Sequence, residues 1–199
     1  MIRKIGIIYQ GANDRGFLEG LKRRLGCDAE FVDSRTRGRN KLSIGRDAAK
    51  NWSAFKAKGV DLVVRLTDSE GSRWQDIKKK EIERFPEDMK GVLICGVNQF
   101  AVESWLAIDR GFLEEEVGIP ASEKISSNDL VGRVKSAISR HDFSLSSKEV
   151  VRHLVESAPL AVFKRWLKEP SFRGFYDDCR GAAKRQNCPI NDEVTGQSE

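Results

Sequence analysis

Val60-Asp61-Leu62-Val63-Val64-Arg65-Leu66-Thr67-Asp68-Ser69-Glu70-Gly71 decides how this chain folds. The run is short, mostly apolar and rich in β-branched residues, and it closes on a polar turn. That pattern predicts a strand over 60–67 buried on both faces. Two other runs read alike: Ile5-Gly6-Ile7-Ile8-Tyr9, within a strand over 3–9, and Val92-Leu93-Ile94-Cys95-Gly96-Val97, within one over 91–97. A shorter strand is expected over 28–33. Between them lie stretches with helical spacing. Phe17, Leu18, Leu21 and Leu25 make an apolar face over 14–25, with Asn13 as the expected N-cap and Gly26 as the stop. Further helices are expected over 46–58, over 72–84 with Ser72 as N-cap, and over 99–109.

Strands that alternate with helices argue for an α/β fold, a mainly parallel Rossmann-like sheet flanked by helices. After Pro120 the strand signal stops. Helices are expected over 127–140, 146–157, 159–168 and 171–185, with Pro159 and Pro170 as punctuation. The expected organisation is an α/β domain over 1–119, a helical C-terminal region over 120–188 packed on it, and a disordered tail over 189–199. Leu160, Phe163, Trp166, Leu167, Phe172, Phe175 and Tyr176 are expected to pack that region against the sheet, and Cys95 to lie in the core.

The longest apolar run is a few residues, so no membrane span is expected. The first residues lack a signal-length apolar stretch, which points to the cytoplasm. Four scattered cysteines and two histidines have no zinc-ligand spacing. Net charge is +5, and residues 1–60 carry 14 Lys+Arg against 6 Asp+Glu. The excess gathers in a polar loop over 34–46, where Arg35, Arg37, Arg39, Lys41 and Arg46 could neutralise phosphates, with Arg73 nearby. A solvated surface would have the same composition.

Carboxylates stand at or after the strand ends: Asp14, Asp68, Glu70, and Glu103 beyond the last strand. Strand ends of an open α/β sheet are where ligands bind. Asp68 and Glu70 alternate, and in an extended segment would point the same way, about 6.5–7 Å apart at Cα. Carboxylates in such a place, with no neutralising partner in the sequence around them, suit a hard divalent cation. Gln10-Gly11 ends the first strand, and Gly11 permits close backbone approach.

Three stretches carry a resemblance. Tyr9-Gln10-Gly11-Ala12-Asn13-Asp14-Arg15-Gly16-Phe17-Leu18 looks like the first motif of the TOPRIM domain, where a Glu-Gly pair precedes an apolar helix. Thr67-Asp68-Ser69-Glu70-Gly71 looks like its Asp-x-Asp motif. Glu103-Ser104-Trp105-Leu106-Ala107-Ile108-Asp109 resembles a segment that marks small bacterial TOPRIM-like proteins related to OLD-family nucleases. The resemblance covers roughly residues 3–115. It implies Mg²⁺-dependent (or Mn²⁺-dependent) phosphodiester cleavage of DNA or RNA. Gln10 and Asp14 would serve the chemistry, and Asp68, Glu70 and Glu103 the metal. It also implies a place in a bacterial anti-phage defence system beside an ATPase partner. Position 10 departs from the family pattern: a Gln cannot exchange a proton at neutral pH as a Glu can. The sequence therefore leaves two readings open, an active nuclease and a silent regulatory or binding subunit of the same fold.

Overall fold

The computed structural model describes residues 2–34, 41–121, 126–141, 144–188 and 191. Four strands, β1 (Lys4–Ile8), β2 (Glu30–Asp33), β3 (Leu62–Asp68) and β4 (Leu93–Asn98), form one parallel sheet in the order β2-β1-β3-β4. Helices α1 (Ala12–Arg24), α2 (Lys41–Ala57), α3 (Trp74–Glu83) and the single turn α4 (Glu87–Lys90) connect them. After β4 come α5 (Glu103–Leu106), α6 (Arg110–Val117), α7 (Ser127–His141), α8 (Ser147–Ser157), α9 (Leu160–Trp166) and α10 (Pro170–Arg185). The fold is α/β with a helical C-terminal region, and no described helix is long and apolar enough to cross a membrane.

Side chains alternate along each strand, so the sheet feeds two cores. Ile7, Val64, Leu66 and Ile94 face a large core with α1 and the C-terminal helices. Ile8 and Val63 face a smaller one with Trp52 and Phe55 of α2 and Met89 of α4. The small core also takes a charge: Arg65 of β3 is fully buried and pairs with Glu81 of α3 at 3.3 Å.

The C-terminal helices are part of the main core. Trp105, Phe163, Trp166, Phe172, Phe175 and Tyr176 are all buried, whereas Leu160 is exposed. Trp105 stacks on Phe175 with ring centroids 5.7 Å apart, and its indole N–H donates to Ser171 Oγ at 2.9 Å. Helix α1 lies directly on α8. A Cβ at Gly16 would stand 2.2 Å from the Lys148 carbonyl oxygen, and one at Gly20 would stand 2.5 Å from that of Arg152. These glycines let two backbones touch. The Arg24 guanidinium closes the end of α8, donating to the Glu156 carbonyl at 3.3 Å and covering the Phe163 ring at 4.5 Å. Such a cation satisfies carbonyls that the helix leaves open.

The structure corrects several local expectations. Helix α2 begins at Lys41, so Lys41 and Arg46 lie on a helix and not in a loop. Polar composition hid the start of this helix, whose buried face among the described side chains includes Ala48, Trp52 and Phe55. Arg35, Arg37 and Arg39 lie outside the described residues, as does the tail beyond 188 except Asn191. Gly11, not Asn13, is the N-cap of α1, and Arg73, not Ser72, that of α3. The helix expected over 99–109 is only the short α5, and α6 begins beyond it, where Asp109 caps it by accepting from the Phe112 N–H at 3.1 Å.

Candidate functional site

The chain leaves β1 for β2 on one side of the sheet, and β3 and β4 lie on the other. The carboxyl ends of β1 and β3 therefore flank a topological switch point, where connections diverge and leave a crevice. β1 stops at Ile8, in register with Arg65, while β3 runs on to Asp68, opposite Asn98 at the end of β4. Tyr9 to Asp14 and the turn after Asp68 thus share one edge.

Two buried carboxylates stand on this edge. Asp14, on the first turn of α1, is 8% exposed, and its Oδ2 accepts the backbone N–H groups of Gln10 at 3.0 Å and Gly11 at 2.9 Å. Gly11 has no side chain to cap with, so this carboxylate alone closes the helix start. Glu103, opening α5, is 1% exposed and accepts from Asn13 Nδ2 at 2.6 Å. Burial is the main influence on both and pushes each carboxyl above its ordinary range. The hydrogen bonds pull the other way, as do the more distant cations, Arg65 and Lys135 for Asp14 and Lys135 for Glu103. The Asp14 charge adds to the upward push on Glu103. Neither carboxylate has an ion-pair partner among the described residues.

The remaining candidates are spread around this pair. Gln10 is half-buried, its N–H committed to Asp14. Asp68 is half-buried at the end of β3 and Glu70 is exposed. The extended geometry expected for these two is absent. Glu70 has φ 51° and Gly71 φ 83°, both left-handed, and the Ser69 hydroxyl and Gly71 N–H both bond to the Gln99 carbonyl. The chain turns at Glu70 because these bonds hold the turn to β4's exit. Among the described residues no three His, Cys, Asp or Glu side chains gather as a metal would need, so Asp68, Glu70 and Glu103 do not form one cluster. Arg73 is exposed, 3.8 Å from Asp76. Lys78 is committed to Asp178 of α10 at 2.6 Å.

The segment from Glu103 to Asp109 divides by role. Trp105 and Leu106 are core, Asp109 caps α6 and pairs with Arg165, and Glu103 alone faces the crevice partners. Sequence reasoning missed Asn13 as the Glu103 partner and assigned no role to Asn98. Asn98 is fully buried, and neither its Oδ1 nor its Nδ2 has a hydrogen-bond partner among the described residues. A polar residue closing the apolar run of β4 was its signal. A cleft of about 210 Å³ follows the end of β4, walled by Gln99, Phe100, Trp105, Leu130 and Glu169. Phe100 lies 3.7 Å from the point a Gly71 Cβ would occupy, so the cleft borders the Asp68–Gly71 turn.

No protein-family model, curated protein or solved structure matches the chain.

Proposed function

We propose that the chain is a TOPRIM-like, Mg²⁺-dependent nuclease or the nuclease-type subunit of a bacterial anti-phage defence complex, working in the cytoplasm. One observation carries the reading: Asp14 and Glu103, from different elements, are buried at the carboxyl edge of a parallel sheet, with no ion-pair partner among the described residues. Burying carboxylates without an ion-pair partner is costly even when they are hydrogen-bonded, and a divalent ion would offset that cost. The donor set fits the ion. Mg²⁺ is usually bound by one or two carboxylates, with waters and substrate phosphates completing its shell. Asp14 and Glu103 alone would hold it, since no third carboxylate among the described residues gathers with them. Bound there, it would supply Lewis acidity to a phosphoryl oxygen and acidify a water.

The chain's own groups have separate tasks in this reading. The Gln10 and Gly11 N–H groups fix Asp14 in place, and Asn13 fixes Glu103. Arg73 and the basic positions Arg35, Arg37, Arg39, Lys41 and Arg46 would hold the nucleic-acid backbone. The Gln10 carboxamide can hydrogen-bond a phosphate or a water and cannot accept a proton from it.

Gln10 favours a second reading, a silent regulatory or binding subunit that engages an ATPase partner or nucleic acid. One experiment separates the two. The chain, its Glu103→Gln variant and its Gln10→Glu variant are incubated with single- and double-stranded DNA and RNA, with Mg²⁺ or Mn²⁺, and binding is measured in parallel. Cleavage by the unmodified chain that Glu103→Gln abolishes supports the nuclease. Nucleic-acid binding of equal strength with and without Mg²⁺, and no cleavage even by Gln10→Glu, supports the silent subunit.

A further inference from the structure

Three of the chain's four cysteines meet far from the carboxylate pair. Cys27 sits in the turn between α1 and β2, Cys179 on α10, and Cys188 just past its end. All three line one apolar cavity of about 70 Å³, together with Leu18, Leu25 and Phe175. Burial is the main influence on the Cys188 thiol and raises it above its ordinary range, and the neighbouring Cys27 side chain adds to that push. Both backbones are held. The Cys27 N–H donates to the Lys22 carbonyl at 3.0 Å, and the Cys188 N–H to that of Ala183 at 2.9 Å. Just beyond, the Asn191 N–H reaches the Leu25 carbonyl at 3.1 Å, which places Asn191 against the end of α1.

We propose that Cys27 and Cys188 are a modification site, a thiol pair that hydrogen peroxide converts reversibly into a disulfide. One thiolate sulfur attacks a peroxide oxygen, the O–O bond breaks, and a sulfenic acid and water result. The second thiol displaces that hydroxyl as a second water, forming the S–S bond and losing its proton. Two thiols and one peroxide thus become one disulfide and two waters. A disulfide needs its β-carbons within about 4.5 Å of each other, and the Asn191–Leu25 bond brings the segment that carries Cys188 beside the turn that carries Cys27, on one shared cavity. No metal is required: the three thiols do not form a metal-holding group among the described residues. Burial raises the Cys179 and Cys188 thiols above their ordinary range, which slows thiolate chemistry and leaves the pair to respond to peroxide excess rather than to turn over. The bond would tie the end of α10 to the end of α1 across the mouth of the cavity. Cys95, buried in the sheet beside Arg65, is the internal control.

The test treats the full native chain with a small excess of hydrogen peroxide, traps remaining thiols by alkylation and maps peptides. The expected product is a Cys27–Cys188 linked peptide with Cys95 and Cys179 alkylated. Tm should rise by about 5 °C or more, reversed by dithiothreitol. Cys188→Ser should lose both the link and the rise, and Cys179→Ser should keep both. Recovery of Cys27 as sulfinic acid with Cys188 still alkylated would overturn the proposal. So would a Cys27–Cys179 link, or oxidation seen only after denaturation.

Discussion

The Asn13 carboxamide donates to Glu103 Oε1 at 2.6 Å, and so pins the helix after the first strand to the one after the fourth. The bond orients a carboxylate that burial disfavours in its charged form. A raised folded-state value means that the native protein binds the Glu103 proton more tightly than the unfolded chain does. Its favourable contribution is complete below the ordinary Glu range and is lost as pH rises through the folded value. Glu103→Gln removes that loss while keeping an oxygen for Asn13. Without divalent cations the variant should melt higher than the unmodified chain at pH 7, and the gap should close near pH 4. Thermal melts at both values check this. A variant that melts lower at pH 7 would show that Glu103 has a cation the structure does not reveal.

Gly16 and Gly20 predict how tightly the C-terminal helices are bound to the sheet domain. Gly16→Ala would drive a methyl group into the Lys148 carbonyl, a backbone atom that cannot swing aside. Overpacking of this kind costs about 1–3 kcal/mol, and the severity of the contact places Gly16→Ala at the upper end. Gly132, on α7, has open space around it, so Gly132→Ala should stabilise by roughly 0.5–1 kcal/mol through helix propensity alone. Urea titrations of both variants give the comparison. Equal effects would mean that α1 and α8 do not touch in solution.

The buried pair of Arg65 and Glu81 predicts an asymmetry. Arg65 has no exposure, and its Nη2 has no hydrogen-bond partner among the described residues. Glu81→Ala leaves that guanidinium charged and unpaired, and should cost about 3–5 kcal/mol. Replacing both, as Arg65→Met with Glu81→Leu, should recover much of the loss, because a well-packed apolar pair bears no desolvation cost. Denaturant unfolding of the single and double variants decides it. A double variant as unstable as the single one would show that the pair organises α3 rather than merely tolerating burial.

The parallel sheet was readable because its strands are buried on both faces and appear as continuous apolar runs. The C-terminal helices were readable to within a residue or two, because Pro159 and Pro170 mark where α9 and α10 begin. The start of α2 was not, since Lys41 to Arg46 show no apolar period. The site was half readable. Asp14 and Glu103 were visible as acids near strand ends, but their meeting depends on Asn13 and on the packing of α5 over α1. Glu70 misled because the sequence suggests an extended pair, and the left-handed turn there arises from hydrogen bonds to Gln99, a contact between distant segments.

Gln10 offers the sharpest test of the metal reading. Its backbone N–H rests on Asp14, so Gln10→Glu adds a third carboxylate to the same turn as a buried one. Without a cation, like charges in a desolvated place repel, and the variant should melt below the unmodified chain in EDTA. With a divalent ion the same charge becomes an added ligand. Ligand binding to the native state stabilises by about 2.7 kcal/mol at one hundred times Kd, which for a chain of this size is roughly 5–10 °C in Tm. The rise in Tm from EDTA to saturating Mg²⁺ or Mn²⁺ should therefore be larger in Gln10→Glu than in the unmodified chain, and smallest in Glu103→Gln. Identical rises in all three would remove the ion from this edge of the sheet, whatever the nuclease assay shows.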